Sequence, residues 1–515
     1  MQYRVKFLDN EYFWGGPTCW GTDMPINSNS NYTADFTRAM PNQFSPLFLS
    51  SKGRFVWTED PFKVWVENGE LCFEGTSFEL YDKGECLRDA YLAAMREHFP
   101  FENKKLPREF FKTAQYNTWM EFTYDPTQEG ILKYARDIIE HGFEPGILMI
   151  DEGWQNHYGG WEFARERFPD PKAMVDTLHL LGFKVMLWIT PFVTADGAEF
   201  VKSQFKQINP KWYQEQYVRT QSNRVALFEW WNGTSAALDL TKECDREFLD
   251  QKLTFLIDEY GVDGFKFDGG SYHLYHQKNV VNGPMPDDYD AVALNIAWNK
   301  FGTKYAFHEF KDTYNGGGKA VIQRLCDRPH AWQGGVDTLV PCALLQGLMG
   351  YPYICPDMIG GGSWIYNFYE NFKVDEELFV RMAQASALFP MMQFSWAPWR
   401  VLSDNAYTTV KSATELHNSM ADKIIQLIGD TAKNGEPILR TLEYNDPHQG
   451  YETVTDEFML GTDMLVCPVT TQGTFEKDVI FPKGRWVDMD GNEYIGRSTV
   501  RIAAPIDKLL WFKRI

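Results

Sequence analysis

Hydrophobic and polar positions change rhythm twice along the chain. Up to about residue 105 the apolar residues come in short bursts, such as Arg54-Phe-Val-Trp-Thr, Phe62-Lys-Val-Trp-Val-Glu and Glu70-Leu-Cys-Phe-Glu, between Gly, Pro and Asn clusters. This predicts a small β domain, closed by one helix over Lys83 to His98. From about 110, apolar runs such as Gly146-Ile-Leu-Met-Ile, Lys184-Val-Met-Leu-Trp-Ile and Gly264-Phe-Lys-Phe alternate with amphipathic stretches such as Ile131-Leu-Lys-Tyr-Ala-Arg-Asp-Ile-Ile-Glu. That alternation is the signature of β/α units around a parallel sheet. About 290 residues of it suit an α/β fold of the (β/α)8 TIM barrel type, with insertions, better than an open sheet. After a helical segment near Ser412 to Gly429, short strands return at Met459-Leu-Gly-Thr-Asp-Met-Leu-Val, Lys477-Asp-Val-Ile-Phe, Arg485-Trp-Val-Asp and Leu509-Leu-Trp-Phe, which predicts a C-terminal β-sandwich. The expected domains are 1–108 (N-terminal β), 109–402 (barrel), 403–434 (helical connection) and 435–515 (β-sandwich).

Within the barrel pattern, Tyr260-Gly-Val-Asp-Gly-Phe-Lys-Phe-Asp-Gly-Gly ends a short apolar strand in Asp268 and two glycines. Arg246 to Tyr260 has a mostly helical apolar spacing, and Gly261 stands where a C-cap belongs. The unit therefore reads helix, turn, strand, carboxylate, and the C-terminal end of a barrel strand is where active sites are built. Lys266 shares a strand face with Asp268 because side chains alternate with period 2, and a cation beside a carboxylate favours its ionised form. The competing reading is an Asp that caps a turn. Two further barrel strands are expected to end in acids, at Ile150-Asp151-Glu152-Gly153-Trp154 and at Ala237-Leu238-Asp239. Paired carboxylates among Trp residues point to glycoside chemistry, which needs two carboxyls and no cofactor; in a retaining enzyme they stand about 5 to 5.5 Å apart. A second acid is offered by Asp327 in Arg324-Leu-Cys-Asp-Arg-Pro-His-Ala-Trp332. Trp332 would form an apolar wall that raises its pKa, an Arg324 or Arg328 aimed at it would oppose that shift, and an Asp–Arg surface pair is the alternative. Asp357, before Ile359-Gly-Gly-Gly, either shapes a turn or receives a sugar hydroxyl.

Composition narrows the partners. The net charge of -20 argues against nucleic acid and anionic membranes, and aromatics at 16%, with 18 Trp, suit stacking on sugar rings. Eight scattered cysteines, with no Cys-x-x-Cys, indicate neither a disulfide framework nor a structural metal. No Gly-x-Gly-x-x-Gly or P-loop follows a strand, so nucleotide binding has no support. The first residues lack a signal-peptide core and no run of about 18 apolar residues occurs, so a cytoplasmic protein is expected.

Taken in order, Lys266-Phe-Asp-Gly-Gly, the Arg-x-x-Asp loop, Gly350-Tyr-Pro-Tyr-Ile-Cys-Pro-Asp-Met-Ile-Gly-Gly and the segment starting Glu436-Pro-Ile-Leu-Arg resemble glycoside hydrolase family 31 from Tyr12 to the end of the chain. Phe265-Lys-Phe-Asp, Asp327-Arg-x-x-x-Trp332 and Met392-Gln-Phe-Ser-x-x-Pro-Trp-Arg400 resemble the family's α-galactosidase branch. The resemblance implies that Asp268 is the nucleophile and Asp327 the general acid/base. Many α-glucosidases of the family use an Asp in Trp-x-Gly-Asp, where this chain has Trp332-Gln-Gly-Gly. It further implies sugar-binding roles for Asp151, Glu152, Trp154, Trp188, Asp239, Lys266, Arg324 and Asp357, with Trp119, Trp231, Trp396 and Trp399 as wall or core residues. Ile150-Asp-Glu-Gly-Trp is also similar to the Asp-Asp-Gly-Trp motif of other retaining α-galactosidases. The expected function is a retaining, exo-acting α-galactosidase acting on an oligosaccharide or glycoside, without metal or cofactor. The alternatives are an α-glucosidase, α-xylosidase or α-N-acetylgalactosaminidase, a transglycosylase using the same residues, or a silent carbohydrate-binding homologue. The N-terminal β domain is short for the family, which leaves room for a homo-oligomer whose neighbouring subunit supplies pocket loops.

Overall fold

The apolar runs of the middle of the chain become parallel strands. A computed structural model describes every residue except 39, 209–210, 212–214 and 370, in two compact units, Gln115–Tyr314 and Met1–Ala114 together with Asn315–Ile515. In the first unit, β1 (Gln115–Asn117), β2 (Ile147–Ile150), β3 (Lys184–Ile189), β4 (Gly264–Phe267) and β5 (Phe307–Phe310) pair in parallel in that order, with Tyr116 opposite Leu148, Met149 opposite Met186, and Met186 opposite Gly264. Nearly all their residues are buried, which is why these strands read as continuous apolar runs rather than alternating ones.

The helices between them start and stop on local signals. Thr127 and Asp170 accept the Gly130 and Ala173 amides to begin Gln128–Glu140 and Pro171–Leu180, and Asp290 does the same for Ala291–Gly302. Glu243–Tyr260 ends on Gly261 at φ +81°, as expected, but begins three residues earlier than its apolar spacing indicated. Gly264 lies so close to β5 that a Cβ there would stand 1.9 Å from the Phe307 carbonyl.

One expected barrel strand is not one. Gly233–Ala237, which leads to Asp239, pairs antiparallel with Leu227–Trp230 and with Phe192–Thr194 in a separate three-stranded sheet. The turn at Trp231-Asn232-Gly233, with Gly233 at φ +94°, folds the segment back on itself as a hairpin. Only β2 and β4, of the three acid-ended segments, belong to the parallel set.

In the second unit, two four-stranded antiparallel sheets fill the first eighty residues. The helix after them is Leu87–His98, shorter than expected, because Asp89 turns back to accept the Glu85 and Cys86 amides. A short parallel pair, β6 (Gln323–Arg324) and β7 (Ile354–Cys355), is followed by the buried helix Glu376–Ala387. The single helix expected near 412–429 is two, Asp404–Ser419 and Ala421–Asn434, meeting at Met420. The C-terminal strands form a six-stranded antiparallel sheet and a two-stranded ribbon, Glu476–Phe481 with Ser498–Ala503, around Met459, Leu465, Val479, Phe481, Trp486 and Phe512.

Gly264→Ala is expected to lower the thermal midpoint sharply or prevent folding, since the obstructing atom is a backbone oxygen. Gly429→Ala, in open space inside the last long helix, should stabilise by about 0.5–1 kcal/mol. Thermal denaturation of both beside the parent checks this, and a Gly264→Ala protein as stable as the parent contradicts the β4–β5 packing.

Candidate active site

The carboxylates that end β2 and β4 are held by three different devices. Asp268 follows β4 and is buried; its Oδ2 accepts the Trp188 indole N–H at 3.0 Å and its Oδ1 the Gly269 amide at 2.9 Å. Gly269 has φ +72°, and a Cβ on it would meet the Thr190 hydroxyl at 2.4 Å; one on Gly270 would meet the Trp298 ring at 2.1 Å. The two glycines after the acid are therefore required by backbone angle and by close packing. Asp151, following β2, takes the Lys266 ammonium at 2.6 Å and the Asn117 amide at 2.8 Å on Oδ2, all of them buried. The cation expected beside Asp268 thus bonds the neighbouring acid. Its side chain runs past β3, where Trp188 is its register partner, to the end of β2.

Glu152 has no cation among its hydrogen bonds. It is buried, receives the Tyr158 hydroxyl at 2.5 Å and the Asn232 amide on Oε1, and has the Trp231 indole N–H 3.4 Å from Oε2. Burial pushes its pKa up to about 7; Asp151 and Asp268 add to that, while Tyr158 and Trp231 oppose it. Trp231, at the hairpin tip, is 47% exposed and packs edge-on against Trp230. The structure places Glu152, Tyr158 and the hairpin tip in one hydrogen-bonded group.

Two expected ligand residues face inward. Trp154 is fully buried and donates its indole N–H to the Trp188 carbonyl at 2.7 Å, which fixes β3 rather than exposing a ring. Asp239 closes its own turn, accepting the Thr241 amide and hydroxyl and lying 3.0 Å from the Lys242 ammonium, because it precedes a helix instead of ending a parallel strand.

The other acids lie in the second unit. Arg324, buried at the end of β6, donates from one nitrogen to Asp327 at 2.9 Å and to Asp357 at 2.6 Å. Asp357 is fully buried at φ +120°, a strained angle for a non-glycine residue, held by the Arg328 and Gly362 amides on Oδ2. Burial pushes its pKa up to about 6, against the pull of Arg324 and with the push of Asp327. Gly362 is fitted to both acids, since a Cβ would stand 2.9 Å from an oxygen of each. Trp332 donates its indole N–H to Asp375 at 3.0 Å, while Asp327 is bonded by Arg324. Trp396 is buried, donates to Asn367 at 3.2 Å and packs against His330 and Phe372; Trp119 is buried beside Tyr124.

Sequence reading missed Asn117, Tyr158, Asn232 and Gln43, which bonds the Arg324 carbonyl at 2.9 Å. Asn117 was findable, because it too ends a parallel strand. Nothing local marks the others. Among the described residues, no group of three or more His, Cys, Asp or Glu is placed to hold a metal ion, and no helix is long and apolar enough to cross a membrane.

Parallel strands with inter-strand helices and strand-end carboxylates define a β/α-barrel protein with a polar site. The model of the glycosyl hydrolases family 31 TIM-barrel domain matches residues 111–427, and that of the glycosyl hydrolase family 31 C-terminal domain matches residues 435–514. The chain belongs to glycosyl hydrolase family 31, and its fold is a TIM barrel with N-terminal antiparallel sheets and a C-terminal β domain. It is similar to the myogenesis-regulating glycosidase of Mus musculus, 29% identical over 80% of this chain and 57% of that protein. It is also similar to the 1,3-alpha-isomaltosidase of Kribbella flavida, 24% identical over 76% of this chain and 53% of that protein. The solved GH31 dextranase of Flavobacterium johnsoniae, complexed with glucose, superposes with a TM-score of 0.86 at 17% identity, over 100% of this chain and 66% of that one. The chain spans little more than half the length of these curated relatives.

Glu152 holds its proton to about pH 7 when folded, against an ordinary value of 4.5. The stability it contributes is therefore full below pH 4.5, falls as pH rises from there to 7, and is level above. Glu152→Gln imitates the protonated acid. Urea unfolding at about pH 5 and about pH 8 should show the parent losing more stability than the variant, by on the order of 3 kcal/mol; equal losses contradict a raised pKa.

Proposed function

We propose that the chain is a retaining, exo-acting α-glycoside hydrolase, with a terminal α-galactoside as substrate. The observation that carries the reading is Asp268, presented at the end of a parallel strand with both oxygens hydrogen-bonded by N–H groups. Such bonds favour the ionised form that a nucleophile needs. Asp268 attacks the anomeric carbon while Asp327 gives its proton to the departing oxygen. Asp327 then takes a proton from water, and that water releases the sugar from Asp268 with retained configuration.

The charge balance around Asp327 supports its role as the acid. One guanidinium, Arg324, serves two carboxyls, and burial of the second raises it to about 6. The raised member is Asp357, and its value of about 6 makes a proton available to the pair in mildly acid solution, as an acid that must be protonated at the outset requires. Asp327, the more exposed partner, is the one that delivers it. Asp151 and Glu152 are assigned to sugar hydroxyls, with Lys266 holding Asp151 in place through its 2.6 Å bond.

The galactoside assignment rests on the likeness of Asp151-Glu-Gly-Trp154 to the Asp-Asp-Gly-Trp motif of retaining α-galactosidases. A second reading, an α-glucoside, is favoured by the relative named 1,3-alpha-isomaltosidase. Rates on nitrophenyl α-galactoside, α-glucoside, α-xyloside and α-N-acetylgalactosaminide separate the two. The galactoside should be cleaved fastest. Asp268→Ala should be inactive, and Asp327→Ala should lose about 10²- to 10⁴-fold on an alkyl glycoside but less on the nitrophenyl one, whose leaving group needs little protonation. Faster cleavage of the glucoside replaces the substrate; an active Asp268→Ala overturns the mechanism.

A further inference from the structure

An aromatic loop starts against Asp327, all of it within the unit Met1–Ala114 with Asn315–Ile515. From Met358 to Tyr369 the chain reads Met-Ile-Gly-Gly-Gly-Ser-Trp-Ile-Tyr-Asn-Phe-Tyr, without a charged residue, and Trp364–Phe368 is a short 3-10 helix. The start of the loop is tied to the acid. A Cβ on Gly362 would stand 2.9 Å from the Asp327 Oδ1, and the Ser363 amide donates to the Arg328 carbonyl at 3.1 Å. Trp364 is the second residue after Gly362, so its Cα lies within about 7 Å of the glycine's.

Both ends of the loop are fastened by the segment that carries Asp327. The His330 Nδ1–H donates to the Gly360 carbonyl at 2.7 Å, and the His330 Nε2 accepts the Asp375 amide at 2.8 Å. One ring nitrogen donating and the other accepting defines the neutral imidazole, and burial keeps the His330 pKa below its ordinary value. Trp332 adds its indole bond to Asp375. Within this clasp the rings sort into two layers. Tyr366 and Phe372 pack on His330 and on one another, with Trp396 against Phe372. Trp364, Ile365, Phe368 and Tyr369 stay at the surface, between 41% and 61% exposed, with the Trp364 and Phe368 rings at right angles and 5.2 Å apart. Four large apolar side chains exposed within six residues, on a loop fixed at both ends, mark a binding surface.

We propose that Trp364, Phe368 and Tyr369 form the leaving-group subsite, a stacking surface for the neutral sugar ring released when Asp327 protonates the glycosidic oxygen. A general acid stands on the leaving-group side of the scissile bond. The part of the substrate beyond that bond therefore lies over the surface adjoining Asp327. Between Met358 and Tyr369 the loop offers a phosphate or carboxylate no cation, so the group it takes is uncharged. Trp364 and Tyr369 each join an apolar face to a polar edge, which matches a pyranose, with its C–H faces and hydroxyl rim, better than an acyl chain. The inference deepens the glycoside hydrolase reading and rests on Asp327 as the acid/base.

The test compares substrates that share a terminal sugar and differ in the leaving group: melibiose with methyl α-galactoside, and isomaltose with methyl α-glucoside. Trp364→Ala and Phe368→Ala should each lower kcat/KM on the disaccharide about tenfold relative to the methyl glycoside, and Trp364→Tyr, which keeps a ring, should restore most of that ratio. Phe475→Ala, at an exposed aromatic outside the loop, is the reference and should leave the ratio at the parent's value. Calorimetric titration of Asp268→Ala with the two disaccharides reads the subsite without turnover, and adding Trp364→Ala should raise Kd about tenfold. An unchanged ratio overturns the proposal, as do disaccharides that titrate the single and double variants alike, absence of binding included. A loss on octyl glycosides but not on disaccharides overturns it in favour of an apolar aglycone. The underlying reading fails separately: Asp327→Ala as active as the parent on the methyl glycoside removes the acid, while a disaccharide-selective loss in Trp364→Ala still establishes the stacking surface.

Discussion

The ion pair between Lys266 and Asp151 is the constraint on which the Gln115–Tyr314 unit depends. Two opposite charges, both buried and 2.6 Å apart, are tolerable only together; losing one partner strands the other at a cost of about 3–5 kcal/mol. The three neighbouring acids of this unit are held in three different ways. Asp151 takes the cation, Asp268 takes two N–H donors, and Glu152 is pushed by burial, with Asp151 and Asp268 adding to it against its Tyr158 and Trp231 donors, to hold a proton. Three carboxyls in different surroundings thus stand at the ends of β2 and β4, and differing surroundings are what acid, base and nucleophile roles need.

The second unit uses the same economy. Arg324 divides itself between Asp327 and Asp357, while Gly362 and the Arg328 amide fix the geometry of the buried partner. The backbone carries part of the load here, since Asp357 is held at a positive φ and its carboxylate is received by main-chain N–H groups. Burial raises Asp357 to about 6, and Asp327 adds to this while the shared guanidinium opposes it. The arrangement is chemical as well as structural.

Much of this was legible in the chain. The alternation of apolar runs and amphipathic stretches identified the parallel strands, and the abrupt end of β4 in Asp268-Gly-Gly carried its own explanation, because only glycine meets both the φ of 269 and the Trp298 contact at 270. What was not legible depends on partners distant in sequence. Period 2 put Lys266 on the correct face of β4, but its reach past Trp188 to Asp151 follows from the register of three strands. Trp332 was read as a wall for Asp327, yet its indole goes to Asp375, 43 residues on. Asp239 was misplaced because Gly233–Ala237 is short and apolar enough to resemble a barrel strand, while its hairpin partners lie before it in the chain.

The central claim is that Asp268 becomes covalently bonded to the sugar. A fluorosugar fluoride of the configuration the protein hydrolyses forms the glycosyl-enzyme quickly and releases it slowly, so the intermediate can be digested and mapped by mass spectrometry. The account predicts one added glycosyl group, on the peptide carrying Phe265-Lys-Phe-Asp268, and none in Asp268→Ala. A label on another carboxyl, or equal labelling of Asp268→Ala, would contradict it.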